Sequence, residues 1–446
     1  MLLSFRFANH RSFRDEQQLN LTPVYETDDA AADAMGQEAV PVVGIFGANA
    51  SGKSNVIDAF SYFQTMVQSS DRDSEPGVGP RRRAFRLDPK AAREPSSYAI
   101  DLALDGVRHT YGFSVDDERI AEEWLYSFPL RRKRVIFERA GQSFAWGEES
   151  KKSRVRRLEE IVAPTALFLS VAARFEVHDP ATGKSDETSS LLRTLYSWVQ
   201  RRIRQIGPSS HDPLLRFFPF SRLLNAEGNR IALVELLRAA DVGLEDIFLR
   251  TPATEPDNLR NIQLSLIEPT SENAADFEKR PRRSEIMFRH RGAVGSVALG
   301  ARDESSGTLR LLDLAGRILP VLATGGLTLV DEIDASLHPL LTATLVRLFQ
   351  SPTANTNHAQ LVFTTHDATL LGSIDGEDVL RRDEVWFTSK GDDGASELFP
   401  LAEFKPRRQG ENRQKRYLNG SYGAIPGLST ELFERAVTSR ADARAE

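Results

Sequence analysis

Gly47-Ala48-Asn49-Ala50-Ser51-Gly52-Lys53-Ser54 is the stretch on which the fold turns. Two glycines bracket four residues, and Lys-Ser follows. This is the spacing of a phosphate-binding loop, in which backbone N–H groups curl round an anion and the glycines let the chain approach closely. A Lys53 ammonium reaches the outer phosphates of a nucleotide, and a Ser54 hydroxyl ligates Mg²⁺. The flanks agree with this reading. Val40-Pro41-Val42-Val43-Gly44-Ile45-Phe46 reads as a buried strand entering the loop, and Asn55-Val56-Ile57-Asp58-Ala59-Phe60 as a helix leaving it.

Three further segments carry chemistry. Leu327-Thr328-Leu329-Val330-Asp331-Glu332 is an apolar strand ending in two carboxylates. Asp331 is placed for the Mg²⁺ hydration shell, and Glu332 to orient or deprotonate a water. Leu361-Val362-Phe363-Thr364-Thr365-His366 is a second such strand, with His366 lying 35 residues after Asp331. Ser305-Ser306-Gly307-Thr308 opens an apolar run and reads either as an anion-binding helix start or simply as a capped helix. Taken singly, each segment also has a plain structural reading: an acidic turn, a histidine at a strand end, a serine cap.

Composition bounds the rest. The chain has 446 residues, a formal net charge of −6 and no cysteine. Disulfides, thiolate catalysis and Cys-ligated metal are excluded, and the whole molecule is not a basic nucleic-acid binder. No apolar run reaches the roughly 18–20 residues of a membrane span. The opening Met1-Leu2-Leu3-Ser4-Phe5-Arg6-Phe7 reads as an alternating strand and not a signal peptide, so a soluble cytoplasmic protein without membrane partners is expected.

Along the chain, residues 24–39 read as an acidic surface loop and 71–97 as irregular. Tyr98–Val115 alternates around Asp105-Gly106 as a hairpin, and Val135–Phe137 with Phe144–Trp146 forms a second pair. Residues 98–147 thus form a small antiparallel insertion. Residues 151–289 read as mainly helical, with a polar break at 251–284. Trp124, Tyr126 and Phe128 alternate as a strand face. Gly391-Asp392-Asp393-Gly394 reads as a hairpin loop and not as a metal site.

The order of these motifs resembles that of ABC-type ATPase heads of the SMC, RecF and OLD-like group. The resemblance implies an α/β fold: an ABC-ATPase head (P-loop NTPase, mixed sheet flanked by helices) with a β-hairpin insertion and a helical insertion. The head would be discontinuous, from residues 1–65 and 285–400, with a β-rich insertion at 66–150, a helical insertion at 151–284 and a tail at 401–446. It also implies ATP and Mg²⁺ as cofactors, Glu332 as catalytic glutamate, His366 as switch histidine, and Ser54 with Asp331 at the metal. The nucleotide set would run from Gly47 through Asn55, together with Arg11 from Asn9-His10-Arg11-Ser12-Phe13. Ser305 to Thr308 stands at the signature turn, which in that family meets the γ-phosphate held by the opposite subunit, so a homodimer with two composite sites is implied. Ala335-Ser336-Leu337-His338-Pro339 stands at the D-loop. Gln64 and Gln68 fall too early for the Q-loop.

Only 250 residues separate Ser54 from Ser305, without sustained heptads, which argues against long coiled-coil arms. The overall pattern is similar to compact ATPases of anti-phage systems of the RloA or AriA kind. That similarity extends to Arg382-Asp383-Glu384-Val385-Trp386-Phe387 and Lys415–Pro426. It implies a separate effector, such as a Toprim-like or RloB-like nuclease, and no nuclease domain in this chain. Higher assemblies of dimers stay open. So does nucleic acid as a partner, through basic clusters at Arg81–Arg83, Arg131–Arg134, Lys151–Arg157, Arg201–Arg204 and Arg407–Arg416. A RecF-like DNA-binding protein and a non-hydrolysing scaffold are the competing readings.

Overall fold

The computed structural model describes residues 1–25, 39–73, 78–177, 186–207, 224, 227–240, 243–250, 285–407, 410–427 and 434–435. Most of the expected acidic loop (26–38), part of the irregular segment (74–77), the polar break 251–284 and Arg408 lie outside the described residues.

Strand β3 (Val42–Gly47) is buried at every position, as a strand covered on both faces must be. It pairs in parallel with β14 (Gln360–Thr364) on one side and β15 (Val385–Lys390) on the other. β13 (Leu327–Val330) pairs in parallel with β14, and β9 (Ile203–Ile206) with β13. β16 (Ser396–Pro400) closes the other edge antiparallel to β15, giving a six-stranded mixed sheet in the order β16-β15-β3-β14-β13-β9. The phosphate loop, Asp331 and His366 each follow the carboxyl end of one of three adjacent parallel strands, where open α/β sheets bind ligands.

Helix α1 (Lys53–Ser69) leaves the loop and buries Val56, Phe60, Phe63 and Val67 at helical spacing. That stripe meets a seven-stranded antiparallel sheet. It is built from β1 (Leu2–Ala8), β2 (Gln17–Asn20), β4 (Ser96–Leu104), β5 (Val107–Val115), β6 (Ile120–Phe128), β7 (Arg134–Ala140) and β8 (Ser143–Trp146), in the order β2-β1-β4-β5-β6-β7-β8. Phe60 stacks on Phe5 with ring centroids 3.7 Å apart, and Phe63 on Phe113 at 5.7 Å. The hairpins stand where the alternation placed them, and Asp105 and Gly106 take the positive φ that a two-residue turn needs. They are not set apart as a unit, however, because β4 pairs along β1 and continues a sheet begun at the N-terminus.

The stretch read as helical is mixed. Among its described residues the α-helices are α2 (Phe168–Ala172), α3 (Glu187–Arg202) and α4 (Glu227–Ala240), but it also supplies β9, β10 (Leu244–Arg250) and the start of β11 (Glu285–Gly292). Ile203 continues the Leu195–Val199 spacing, so sequence period alone runs the helix through it. Pairing with β13 ends the helix at Arg202 instead. β11 pairs with β10 and with β12 (Gly295–Gly300). A second core gathers around α4, α5 (Ser306–Thr324) and α6 (Pro339–Gln350). In the tail, α7 (Arg413–Leu418) and the turn after it bring Tyr417 and Tyr422 onto Phe387, at 5.7 and 5.0 Å. The tail therefore caps the sheet beside β15. Among the described residues no helix is long and apolar enough to cross a membrane.

Glu384, just before β15, is fully buried. Its Oε2 accepts from the Arg381 amide and Gln350 Nε2, each at 2.7 Å, while Oε1 has no hydrogen-bond partner. Burial pushes this carboxyl up from 4.5 to about 7, against the pull of Arg381. The folded chain therefore keeps a proton that the unfolded chain has released, and stability falls as pH rises between those two values. A Glu384→Gln variant is expected to lose that slope, roughly 3 kcal/mol across the window. Denaturant unfolding of both proteins between about pH 4 and pH 8 checks this, and parallel curves would refute it.

Candidate functional site

The loop between β3 and α1 is shaped by its glycines. A Cβ at Gly47 would sit 2.5 Å from the Thr388 carbonyl oxygen and 2.7 Å from Ser51 Oγ. One at Gly52, where φ is 113°, would sit 2.7 Å from Ser396 Oγ. Only glycine lets the loop lie this close to β15 and β16. Ser51 Oγ meets Thr388 Oγ1 at 2.6 Å, which fixes the loop's base. Asn49 and Ala50 form the exposed apex.

Lys53 turns inward. Its Nζ donates to the carbonyl oxygens of Gly47 at 2.8 Å and Ala48 at 2.9 Å. Burial lowers its pKa, and the carboxylates of Asp331, Glu332 and Asp334 oppose that shift and favour the charged form. Next to it, Asp331 Oδ1 accepts from Ser54 Oγ at 2.9 Å and from Thr364 Oγ1 at 2.6 Å. The Glu332 amide donates to Thr364 Oγ1 at 2.8 Å. His366 Nε2 lies 3.6 Å from Glu332 Oε1, with both side chains about 40% exposed and so open to a ligand. Glu332 holds φ at 54°. For a non-glycine residue that conformation costs roughly 1–2 kcal/mol and is a mark of functional turns.

Gly47 to Ser54, Asp331, Glu332 and His366 thus converge at one sheet end. Ser305 to Thr308 occupies a neighbouring position at the start of α5. Ser305 Oγ caps the helix by accepting from the Thr308 amide at 3.0 Å, and Ser305 and Ser306 are exposed. A Cβ at Gly307 would lie 3.0 Å from the Ser336 carbonyl oxygen, so the helix start rests on the turn after Glu332. His338 caps α6, accepting from the Leu340 amide at 3.2 Å. Arg310, which the sequence reading did not single out, is 1% exposed on α5 and donates to the carbonyls of Asp331 and Glu332 at 3.3 and 3.1 Å. An arginine within Leu309-Arg310-Leu311-Leu312 gives no sign in sequence of which way it points.

Arg11 is held by Asp58 on α1, through Nε and through a second nitrogen at 3.1 Å. Arg83 pairs with the same carboxylate, and buried His10 links Asp58 at 2.9 Å to Tyr98 Oη at 2.7 Å. Burial alone would raise the Asp58 carboxyl. The hydrogen bonds from His10, Arg11 and Arg83 outweigh it and hold the group well below the usual range. Burial also lowers His10, against the pull of Asp58. Ser12 Oγ accepts from Asn55 Nδ2 at 2.7 Å and so ties this loop to α1. A cavity of about 430 Å³ opens beside it, lined by Arg11, Ser12, Arg83, Phe85, Arg86 and Lys390. A larger groove of about 1100 Å³, between α6 and the tail, includes none of the converging residues.

The basic clusters divide. Arg82 is buried against Asp117 at 2.7 Å, Arg202 donates to Thr324 O, and Arg413 donates to Leu380 O at 2.8 Å. These cations are structural. Arg131, Arg132, Lys133, Lys151 and Lys152 remain exposed. Lys133 Nζ lies 3.6 Å from the centroid of the Tyr126 ring, so that face carries a cation and does not offer a bare stacking platform. Gln64 donates to Val199 O and Ile203 O at 2.9 and 3.1 Å, a purely structural role. Asp393 sits in the β15–β16 hairpin and pairs with Arg14 at 2.7 Å.

A family model described as "AAA domain, putative AbiEii toxin, Type IV TA system" matches residues 42–155 and 209–372, more than half of the chain. The chain belongs to this AAA-domain family. No curated protein matches it. Among solved structures, it is similar to the SMC head domain from Thermotoga maritima, at 14% identity over 90% of this chain and 98% of that one, with a TM-score of 0.39. An Smc head bound to the C-winged helix domain of ScpA matches at 13% identity over 90% and 99%, with a TM-score of 0.43. An Smc head with an extended coiled coil, from Pyrococcus furiosus, matches at 14% over 91% and 97%, with a TM-score of 0.39. The α/β class and the ABC-type head expected from the sequence agree with the family and with the sheet order.

The residues of this AAA domain fit a nucleotide with Mg²⁺. The glycine cradle has no room for side chains, and the Lys53 ammonium lies against the loop it follows, bonded to the Gly47 and Ala48 carbonyls. Among the described residues no group of three His, Asp or Glu could hold a metal alone, so a cation at Ser54 and Asp331 would need phosphate oxygens as well. Replacing Lys53 with Met is expected to weaken binding of a fluorescent ATP analogue by roughly 100-fold, the scale of about 3 kcal/mol for a charged contact. Fluorescence titration checks this alongside an unchanged far-UV spectrum, and equal affinity would contradict it.

Proposed function

We propose that this chain is an ATP-hydrolysing ABC-type switch whose two pockets form in a head-to-tail homodimer. In this reading it is the cytoplasmic sensor or regulator subunit of an anti-phage system and controls a separate effector such as a Toprim-like or RloB-like nuclease. The observation that carries the catalytic reading is the convergence of Lys53, Ser54, Asp331, Glu332 and His366 at adjacent strand ends. The exposed Ser305 and Ser306 at the start of α5 support the dimer. The family description, which includes a toxin of a toxin–antitoxin system, fits the control of a harmful effector.

When bound, ATP supplies the phosphoanhydride bond and Mg²⁺ the electrophilic charge on its oxygens. Lys53 binds and neutralises the outer phosphates. Ser54 and Asp331 hold the cation, with Thr364 fixing the Asp331 rotamer. Glu332 Oε1 takes the proton of the attacking water, and His366, 3.6 Å away, orients that carboxylate. Arg11, steadied by Asp58 and lining the cavity beside the loop, would contact a phosphate or the ribose of the nucleotide. Ser305 to Thr308 closes the pocket of the other copy.

Glu332→Gln keeps size and hydrogen bonding but removes the base. Its turnover is expected to fall about 10²- to 10⁴-fold. An ATP-dependent dimer should accumulate, read by phosphate release and by light scattering after gel filtration. Undiminished turnover would remove Glu332 from this role.

A RecF-like DNA-binding protein is the second reading. It is favoured by the exposed Arg131-Arg132-Lys133 turn, which the Arg134–Glu149 ion pair brings near Lys151 and Lys152. It predicts ATP-dependent duplex binding whose affinity drops steeply with salt. Gel shifts over a salt series, with and without ATP, distinguish the two. Binding that ignores ATP or salt would dismiss the second.

A further inference from the structure

Arg310 spends a buried charge where an apolar residue would continue the core stripe. It stands one turn into α5, between Leu309 and Leu311, and only 1% of it is exposed. Its guanidinium reaches three carbonyl oxygens: Gly207 at 3.2 Å, Asp331 at 3.3 Å and Glu332 at 3.1 Å. Gly207 follows β9, while Asp331 and Glu332 follow β13, so one side chain clamps the ends of two neighbouring strands. Asp313 Oδ2, one turn further along α5, lies 3.6 Å from Arg310 and steadies it. Asp313 is held in turn by Arg317 at 2.8 Å, and Arg317 reaches Gln205 O on β9 at 3.4 Å. The two terminal nitrogens of the guanidinium carry all three of these bonds, and a buried cation is tolerable only with such partners.

Two features make the clamp consequential. Glu332 sits in the left-handed region, at φ 54°, a conformation its neighbours must impose. The clamp grips the carbonyl of that residue. Gly307 also rests against Ser336 O, so the start of α5 touches the turn after Glu332 a second time. The helix start and the Glu332 turn are thereby mechanically one piece.

Within the dimer reading of the previous section, on which this rests, Ser305–Thr308 serves the pocket of the partner copy while Glu332 serves its own. We propose that Arg310 is a positioning residue that couples the two pockets: engagement of α5 by the nucleotide of one copy sets the orientation of Glu332 in the other pocket. Hydrolysis at the two pockets is then cooperative.

The test uses the full chain with Arg310→Lys and Arg310→Met. Lysine keeps the charge but cannot span three carbonyls, and methionine keeps the bulk alone. Amide hydrogen exchange without nucleotide is expected to quicken in peptides covering residues 331–337, while peptides from α1 stay unchanged. Exchange equal to the parent in both variants overturns the clamp. With ATP, kcat should fall by roughly 10- to 100-fold, the cost of a misplacement of about 1 Å, while KM and the affinity for a fluorescent ATP analogue stay within about twofold. The Hill coefficient for ATP should fall from about 2 towards about 1, with lysine intermediate. Retained kcat and cooperativity overturn the coupling, as does a parallel loss of affinity, kcat and melting temperature, the mark of a merely structural role. Should methionine prevent folding, lysine carries the same readouts. A parent protein without turnover counts against the ATPase reading, and the exchange measurement still decides the clamp.

Discussion

Asp331 accepts hydrogen bonds on one carboxylate oxygen from two hydroxyls that belong to different elements: Ser54 at the start of α1 and Thr364 at the end of β14. The three groups meet only because β3, β14 and β13 run parallel and in register, with Thr364 beside Ile45 and Val330 beside Phe363. Parallel strands end together, so everything that follows them is delivered to one edge. The phosphate loop, the carboxylates and the histidine are consequences of that register. A slip of one residue would turn each side chain to the opposite face.

Elements on both sides hold that edge in place. Helix α1 carries Lys53 and Ser54 at one end, and along its length it is clamped by Phe5 and Phe113 of the antiparallel sheet. Asp58, one turn from the loop, gathers His10, Arg11 and Arg83 onto the same helix. On the far side, α5 and its Arg310 fix the turn where Glu332 takes its strained backbone. Two cores therefore pack on opposite faces of the six-stranded sheet, with β3, β13 and β14 each giving residues to both. Strain at Glu332 is sustainable because both sides over-determine its position.

Several features were legible because their signals are local. The hairpin at Asp105-Gly106 follows from alternation and from a turn pair that accepts positive φ. The cap at Ser305 follows from a serine before an apolar helix. The Gly391–Gly394 loop follows from glycine and aspartate between two apolar runs. Other features escaped because their cause lies elsewhere in the chain. Ile203 fits the helical spacing of Leu195 and Val199, and only β13 makes it a strand. Residues 98–147 look self-contained, yet β1 binds them to the N-terminus. Arg82 and Arg413 sit in clusters that look like solvated charge, but each is buried against a partner distant in sequence.

By itself the sequence determined the chemistry available: a glycine loop that leaves room for phosphates, a lysine and serine at its exit, and carboxylates and a histidine at the ends of apolar strands. Spacing fixes these because turns, caps and strand ends are set by neighbouring residues. Tertiary structure decided which groups face one another. It placed Thr364 on Asp331, Asp58 between two arginines, and Arg310 across the ends of β9 and β13. Those contacts join residues far apart in the chain, and their geometry depends on strand order and helix packing, which no local pattern encodes.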